Sequence, residues 1–471
     1  MGRMLSTRAR PASVGLTASP PARIAAHPDA SPAAKTSPTV AAVTDPQASS
    51  LVRKIAFGFA LALIYVRFAV LPEFLFYFTG VNTYILYLLA PPALLGLLFT
   101  GGLRRTLRAP AAWYWIGFFA WMILATPFSS WRGGSLDRVI SYGRIDFIFL
   151  FVMAGLAVSW GEVRAMLGAI ALAALTNLLL ARTFVGAVNG RMILDLPFNG
   201  VITNSNDLAA HLIILLPFLL FIVLKSRNLF VRAVLLVGIV YGLWVILGTA
   251  SRGAFIGLLA MFVFYLLRAP AAHRTAMLVI SPILAIAFVA LMSQATLQRL
   301  GSVFKKPDAQ LQTNPDDEAA ASWESRNYLL KKSLYFTVTH PLFGVGPSQF
   351  SNFEGKTSRE QGFHGNWHET HNSYTQVSSE CGIPAVLFFI AGLVSAFRLV
   401  NDTYRAAREA GHREIAAACL CYLLTLVGYM ITLIFLAHAY RFTLPALVGL
   451  AIAIHFAAEP VLNNARRPAS A

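Results

Sequence analysis

Residues 369–382 read Glu-Thr-His-Asn-Ser-Tyr-Thr-Gln-Val-Ser-Ser-Glu-Cys-Gly, and they close the only long polar segment between hydrophobic runs, residues 294–383. This segment gathers ionisable and aromatic side chains just before the chain re-enters an apolar run: His364, His368, His371, Trp323, Trp367, Arg326 and Glu380. We interpret it as a loop that caps a bundle of membrane helices on the outer face.

The composition places the chain among integral membrane proteins. Of its 471 residues, 57% are hydrophobic and only 13% are charged, whereas charged residues make up about a quarter of an ordinary soluble protein. The formal net charge of +17 would suggest nucleic-acid binding in a soluble chain. Here the basic residues fall mostly in short connections between apolar runs, so membrane topology explains them and no nucleic-acid partner is expected. The cysteines, Cys381, Cys419 and Cys421, are expected to be free thiols.

Apolar runs follow one another from about residue 54, each close to the ~20 residues that cross ~30 Å of hydrocarbon. We predict an all-α fold with about twelve transmembrane helices, at 54–71, 82–100, 110–128, 141–160, 165–182, 207–224, 230–248, 253–268, 275–293, 384–400, 414–436 and 441–458. The large loop lies between the ninth and the tenth. The predicted domains are a disordered cytoplasmic tail over 1–50, helices 1–9 over 51–293, the loop over 294–383, helices 10–12 over 384–460, and a second tail over 461–471.

Basic residues orient the predicted bundle, because Lys and Arg are retained on the cytoplasmic side. One set of connections carries most of them. The opposite set, leaving aside the long loop, carries few: Arg132, Arg138, Arg182, Arg191, Arg252 and Arg441. We therefore predict that both termini are cytoplasmic and that the long loop is outside. Arginines on the disfavoured side need another reason to be there.

Two of these arginines stand beside short polar motifs. Arg191 follows Gly190 and precedes Asn204 and Asn206, an arrangement that could bind an anionic group through the guanidinium and helix-start amides. The alternative is an exposed loop whose Asn and Asp residues cap a helix. Arg252 begins a predicted span, where it could hold a second phosphate or could simply reach toward lipid headgroups.

His371 is the candidate proton acceptor, since histidine shares protons near neutral pH. Ordinary surface exposure is the alternative. A metal site of His364, His368 and His371, spaced i, i+4 and i+7, is discounted because Gly365 and Asn366 disfavour a rigid helix there. On a continuous helix from His371, Glu380 would lie nine residues on and about half a turn around the helix axis, so we do not expect it to orient the histidine directly. We expect Glu380 to pair with a basic residue such as Arg326 or Arg441.

Further ionisable residues are weaker candidates. Arg326, His438, Tyr440 and Arg441 form a looser set that could equally anchor headgroups. Arg67, Arg144 and Asp146 lie in or near spans, where an Arg144–Asp146 pair could be structural, although ionisable residues inside membranes are functional candidates by default.

Four short motifs in this order resemble the O-antigen ligase and Wzy-type polymerase superfamily of bacterial membrane glycosyltransferases, over about residues 50–460. They are Gly190-Arg191 with Asn204-Ser205-Asn206-Asp207-Leu208-Ala209; Thr249-Ala250-Ser251-Arg252-Gly253-Ala254; Ser325-Arg326 with His340-Pro341-Leu342-Phe343-Gly344-Val345-Gly346-Pro347; and His371-Asn372-Ser373-Tyr374 with Glu380-Cys381-Gly382.

The resemblance implies glycan transfer from undecaprenyl diphosphate at the periplasmic face of the bacterial inner membrane, by a metal-independent, inverting enzyme without a cofactor. Arg191 and Arg252 would bind the pyrophosphate and His371 would act on the acceptor hydroxyl. The supporting residues are Arg326, Asn372, Tyr374, Glu380, Asn204, Asn206 and Arg441. The motifs leave open whether the acceptor is lipid A core, as in a ligase, another carrier-linked glycan, as in a polymerase, or a protein.

The alternative class is a multi-span transporter or flippase of a lipid-linked or anionic substrate. Transporters place polar sites near the membrane midplane and usually show repeat symmetry. The candidate residues here cluster at one predicted surface instead, which favours the enzyme.

Overall fold

Helices form nearly all of the chain that the structure describes. The structure is a computed structural model, and it describes residues 50–188, 191–194, 201–269, 271–291, 294, 297, 315–362 and 367–466. The predicted N-terminal tail, apart from residue 50, lies outside the described residues, as do 298–314 of the predicted loop and 467–471 of the predicted C-terminal tail. One short antiparallel hairpin, β1 (Val185–Val188) and β2 (Arg191–Leu194), interrupts the helices.

In chain order the helices begin with α1 (Leu51–Phe68), α2 (Leu71–Thr79), α3 (Ile85–Phe99), α4 (Gly102–Thr106), α5 (Pro110–Ala125), α6 (Arg132–Ser141), α7 (Ile148–Leu156), α8 (Trp160–Phe184) and α9 (Ser205–Lys225). They continue with α10 (Leu229–Gly248), α11 (Arg252–Arg268), α12 (Ala271–Leu291), α13 (Pro315–Thr339), α14 (Phe350–Glu360), α15 (Ser373–Cys381), α16 (Ile383–Glu409), α17 (Arg413–Thr432) and α18 (Thr443–Arg466).

The helices confirm a polytopic membrane fold. Eight in the described part of the chain are long and apolar enough to cross a membrane, and α1 with α2, bent by 68°, would make a ninth. The three other predicted spans correspond to α3, α11 and α12, which have 15, 17 and 21 residues. The count of twelve spans stays a prediction. The eight are Pro110–Phe128, Arg132–Leu156, Trp160–Phe184, Ser205–Lys225, Leu229–Gly248, Ile383–Glu409, Arg413–Phe435 and Thr443–Ala465.

The bend between α1 and α2 has a local cause, and it leaves a backbone carbonyl that other helices must satisfy. Val70 takes a left-handed conformation with φ 55°, and a proline in the first turn of α2 cannot donate to the preceding helix. The Phe68 carbonyl is satisfied from other helices instead, by Asn177 Nδ2 at 2.8 Å and by His211 Nε2 at 2.9 Å. The break is thereby tied to α8 and α9.

A π-helical stretch, Tyr142–Phe147, joins α6 to α7 in one span. The predicted Arg144–Asp146 pair is wrong, because Asp146 Oδ1 lies 3.9 Å from Arg67 Nη2, whereas Arg144 lies over the Tyr87 ring at 5.8 Å. A π-helix gains an extra residue within its turn. The stretch therefore sets the directions in which its two ionisable side chains leave the helix.

The described part of the polar segment contains three helices, α13, α14 and α15. Residues 340–347, which we call the strap, run between α15 and the 126–135 region: the Val345 amide donates to the Ser379 carbonyl at 2.8 Å, and the Ser130 amide to the Val345 carbonyl at 2.9 Å. Gly382, with φ 86°, is required because a Cβ there would collide with the Leu342 carbonyl.

The core is built around α9. It is the most enclosed of the eight spans, since 83% of its most apolar 18-residue stretch is buried. Its first turn, the β hairpin, residues 249–251 and residues 433–442 lie at one end of the bundle, which we call the loop end. All three cysteines are buried and free, as the sequence predicts.

Candidate active site

A cavity of about 380 Å³ at the loop end brings together residues that are distant in sequence. Its polar lining comes from α11, from α13 and from the turn before α15, and its apolar lining comes mainly from α11, α13 and the segment after α17. We call it the His371 cavity. The lining residues are Arg252, Ile256, Arg326, Asn327, Leu330, Thr370, His371, Asn372, Ile434 and Phe435.

His371 occupies a turn that is fixed on both sides. Its φ of 50° is left-handed, a conformation that histidine adopts more readily than most residues but still at a cost. Asn372 caps α15, accepting from the amides of Tyr374 and Thr375 at 3.0 and 3.1 Å. The buried Thr370 hydroxyl donates to the Asn372 carbonyl at 3.0 Å. These contacts hold the histidine at the cavity.

The surroundings of His371 keep it uncharged. Burial lowers its pKa to about 4, and the charges of Arg326 and His368 act in the same direction. A neutral imidazole at physiological pH has a free lone pair and can accept a proton. The side chain therefore has the charge state that a general base requires.

Two guanidinium groups and one helix end contribute positive charge to the lining of the cavity. Arg252 is the first residue of α11, after Ser251, whose hydroxyl accepts from the Ala254 amide at 3.4 Å. The positive end of the α11 dipole thus acts where the guanidinium does. Arg326 contributes the second guanidinium from α13. This arrangement suits a group with two negative charges.

Arg191 contacts the turn that precedes Arg252 and is not among the residues that line this cavity. Its Nε donates to the Thr249 carbonyl at 3.0 Å and its Nη2 to Asn206 Oδ1 at 2.9 Å. Thr249 stands three residues before Arg252, so the two arginines approach the same connection from different elements. Asn204 takes the capping role that the sequence left open, accepting from the amides of Asn206 and Asp207.

A buried polar network joins the start of α9 to the 433–442 segment. His438 Nε2 and Asp207 Oδ1 are 2.9 Å apart, and Arg441 Nη2 lies 3.6 Å from Asp207 Oδ2. The Ser373 hydroxyl donates to the Leu436 carbonyl at 2.6 Å and accepts from the His438 amide at 2.9 Å. The network reaches the residue two beyond His371, and so it supports the turn that presents the histidine.

Glu380 does not pair with Arg326 or Arg441, so that expectation is wrong. Its carboxylate accepts from the Tyr440 hydroxyl at 2.7 Å and from the amides of Ser348 and Phe350 at 2.9 and 3.3 Å. Burial raises its pKa to about 7, while these hydrogen bonds act in the opposite direction. Glu380 therefore fastens the end of the strap and the start of α14 to α15.

Tyr374 also has structural contacts. Its hydroxyl donates to the Met430 carbonyl at 2.9 Å, and burial raises its pKa to about 12. It thus ties α15 to α17 at a distance from the lining of the His371 cavity. Thr370 and Asn327 also line the cavity. Sequence analysis did not select them as site residues, because neither carries a charge or belongs to a repeated motif.

The metal hypothesis falls partly outside the described residues, because His364 does. Among the residues that are described, no group of three His, Cys, Asp or Glu side chains has a geometry that could hold a metal ion.

Residues 237–390 match the family model described as O-antigen ligase. The matched third of the chain contains Arg252, Arg326, His371 and Glu380, and it confirms the resemblance to the O-antigen ligase and Wzy superfamily. It supports glycan transfer of that general kind, between a lipid-linked glycan and an acceptor. No curated protein matches the chain.

Proposed function

We propose that this membrane protein with an O-antigen ligase match transfers a glycan from undecaprenyl diphosphate to an acceptor hydroxyl, at the periplasmic face of the bacterial inner membrane. The observation that carries the proposal is the His371 cavity, where two arginines and an uncharged histidine meet. The proposal includes the topology expected from the sequence, with twelve spans, cytoplasmic termini and a periplasmic 294–383 loop.

The guanidinium groups would bind the diphosphate. Arg252 and Arg326, with the start of α11, supply fixed positive charge that does not reorganise as negative charge develops on the leaving diphosphate. Arg191 is proposed as a further diphosphate ligand that approaches from the Thr249 side. Positioned arginines of this kind can take the place of a metal ion, and we propose a metal-independent reaction.

His371 would take the proton of the acceptor hydroxyl. The hydroxyl oxygen forms a bond to the anomeric carbon of the glycan while the bond from that carbon to the phosphate oxygen breaks, and undecaprenyl diphosphate leaves with the electron pair. One displacement of this kind inverts the anomeric configuration. The proton passes to His371, which the buried site holds neutral beforehand.

The apolar wall of the cavity suits the lipid part of the donor. Ile256, Leu330, Ile434 and Phe435 line it beside the arginines, so an isoprenoid chain could lie against these side chains while the diphosphate meets the guanidiniums. The acceptor in this proposal is lipid A core, for a ligase, or a second glycan, for a polymerase.

Arginine variants test the proposal. Purified Arg252→Ala and Arg252→Lys proteins are assayed for transfer from undecaprenyl-diphosphate-linked glycan. The control is Arg405→Ala, which changes an exposed arginine near the C-terminal end of α16. We expect a loss of about 100-fold for Arg252→Ala, and a substantial loss for Arg252→Lys because an ammonium cannot form a bidentate contact. Unchanged transfer by both Arg252 variants would refute diphosphate binding at this cavity. Movement of the donor across vesicles without transfer would favour a flippase.

A further inference from the structure

We infer that a second cavity, separate from the His371 cavity, binds a lipid headgroup that carries a phosphate and a hydrogen-bond donor. It has a volume of about 350 Å³ and lies between the bent α1–α2 pair, α3 and the π-helical stretch. Its charged lining residues are Arg67, Glu73, Arg144 and Arg441. The inference concerns binding alone and does not depend on glycan transfer.

One buried acceptor and one buried donor at this cavity have no hydrogen-bond partner among the described residues. Glu73 is 5% exposed, and its Oε1 accepts from the Val201 amide at 3.3 Å. Its Oε2 and the Nε of Arg67 are both buried without a hydrogen-bond partner among the residues that the structure describes. Because buried polar atoms are nearly always paired in native proteins, a ligand is expected to donate to Glu73 and to accept from Arg67.

The charged groups at the cavity are unevenly paired. Arg67 Nη1 lies 3.5 Å from Glu73 Oε1 and its Nη2 lies 3.9 Å from Asp146 Oδ1, and Arg441 Nη2 lies 3.6 Å from Asp207 Oδ2. Arg144 has no carboxylate or hydrogen-bond partner among the described residues, and its guanidinium lies over the Tyr87 ring at 5.8 Å. A phosphate complements the positive charge of Arg144, and it can accept two parallel hydrogen bonds from a guanidinium.

Arg144 also occupies an unusual place in its span. It belongs to the π-helical stretch Tyr142–Phe147, and such stretches occur frequently at functional sites. An arginine in the middle of a membrane-spanning sequence is costly unless it serves a ligand or a partner. The local helix geometry and the unpaired charge therefore point to the same cavity.

The apolar walls indicate an amphiphile rather than a free anion. They are formed by Leu63, Phe76, Ile85, Leu86, Ile148 and Phe149, which suit the first part of an acyl chain. A phospholipid and a lipid-linked sugar phosphate share the required headgroup chemistry. Arg441, which lines this cavity, lies six residues after Phe435, which lines the His371 cavity.

Lipid binding to the purified, delipidated full-length chain tests the inference, with bound lipid counted by mass spectrometry of the intact protein. The probes are phosphatidylethanolamine, phosphatidylcholine, diacylglycerol and a phosphorylated glucosamine lipid. We expect the first and the last to bind, because both carry phosphate and donors. Diacylglycerol lacks the phosphate, and the quaternary ammonium of phosphatidylcholine cannot donate. Inorganic phosphate is the competitor for the free-anion case.

Variants assign the binding to this cavity. Arg144→Ala should weaken phosphatidylethanolamine binding about tenfold, and Glu73→Leu, which removes the acceptor, should remove the preference over phosphatidylcholine. Arg405→Ala is the matched arginine control and should bind as the unaltered protein does. Equal binding of diacylglycerol, or binding unaffected by Arg144→Ala while the protein stays folded, would overturn the inference. Displacement by millimolar inorganic phosphate alone would reduce the site to an anion site and contradict the lipid assignment.

Discussion

Substitutions of Asn372 separate the capping of α15 from the electrostatics of the His371 cavity. Its side chain accepts from two amides in the first turn of α15 and also lines the cavity. Asn372→Ser and Asn372→Asp both keep a capping oxygen, whereas Asn372→Ala loses it. Only the aspartate adds a negative charge where the donor diphosphate is proposed to bind.

The size of the electrostatic effect follows from the cavity. A sphere of about 380 Å³ would be about 9 Å across, so we take about 9 Å as the separation between a phosphate in the cavity and residue 372. At an effective dielectric constant of about 20, two unit charges about 9 Å apart repel by about 1.8 kcal/mol, which is roughly twentyfold in affinity at low ionic strength. The loss of the cap costs about 1 kcal/mol of stability.

The assay measures KM for the lipid-linked donor at low salt, together with the thermal unfolding of each purified variant. We expect Asn372→Ser to be close to the unaltered protein and Asn372→Ala to be less stable. Asn372→Asp should match Asn372→Ser in stability but have a KM at least tenfold higher, an increase that salt diminishes. Equal KM values for the aspartate and serine variants at low salt would refute diphosphate binding in this cavity.

Three further predictions concern the surroundings of the site. Burial, together with the charge of Arg326, lowers the pKa of His371 from 6.5 to about 4, so Arg326→Gln should raise that pKa. Since the base must be neutral, the acid limb of the profile of kcat/KM against pH should move to higher pH. An unmoved limb would contradict this. Burial raises the pKa of Glu380 from 4.5 to about 7, so the free energy of unfolding should fall as pH rises from about 4.5 through about 7. Glu380→Gln should flatten that dependence in a denaturation series. Gly382→Ala should lower the unfolding temperature markedly, because a Cβ meets the Leu342 carbonyl at a φ of 86°; a variant with unchanged unfolding temperature would argue against the strap geometry.

Hydrophobic length predicted the helices well, because a spanning helix needs a long apolar run whatever it packs against. Each predicted span has a helix in the structure, yet the bend at Val70 and the π-helical stretch at Tyr142 were not foreseen. Both depend on backbone conformations that the neighbouring helices stabilise, as at the Phe68 carbonyl. A periodic pattern carries no information about them.

The candidate site was only partly predictable, and the reason differs among its residues. Arg252 could be singled out because it opposes the topological charge bias, and the structure places it with His371. The partner of Glu380 was assigned wrongly because charge complementarity favoured an arginine, whereas the fold supplies a tyrosine hydroxyl and two amides. Asn204 is a helix cap, as its spacing from Asp207 allowed.

The most direct test of the central claim is transfer by the purified protein from undecaprenyl-diphosphate-linked glycan in EDTA, with and without His371→Ala, offering lipid A core and a second carrier-linked glycan as separate acceptors. We predict transfer that survives EDTA, inverts the anomeric configuration and falls at least a hundredfold in the folded His371→Ala variant, with the acceptor that is used deciding between ligase and polymerase. Full transfer by His371→Ala, or transfer that EDTA abolishes, would contradict the account.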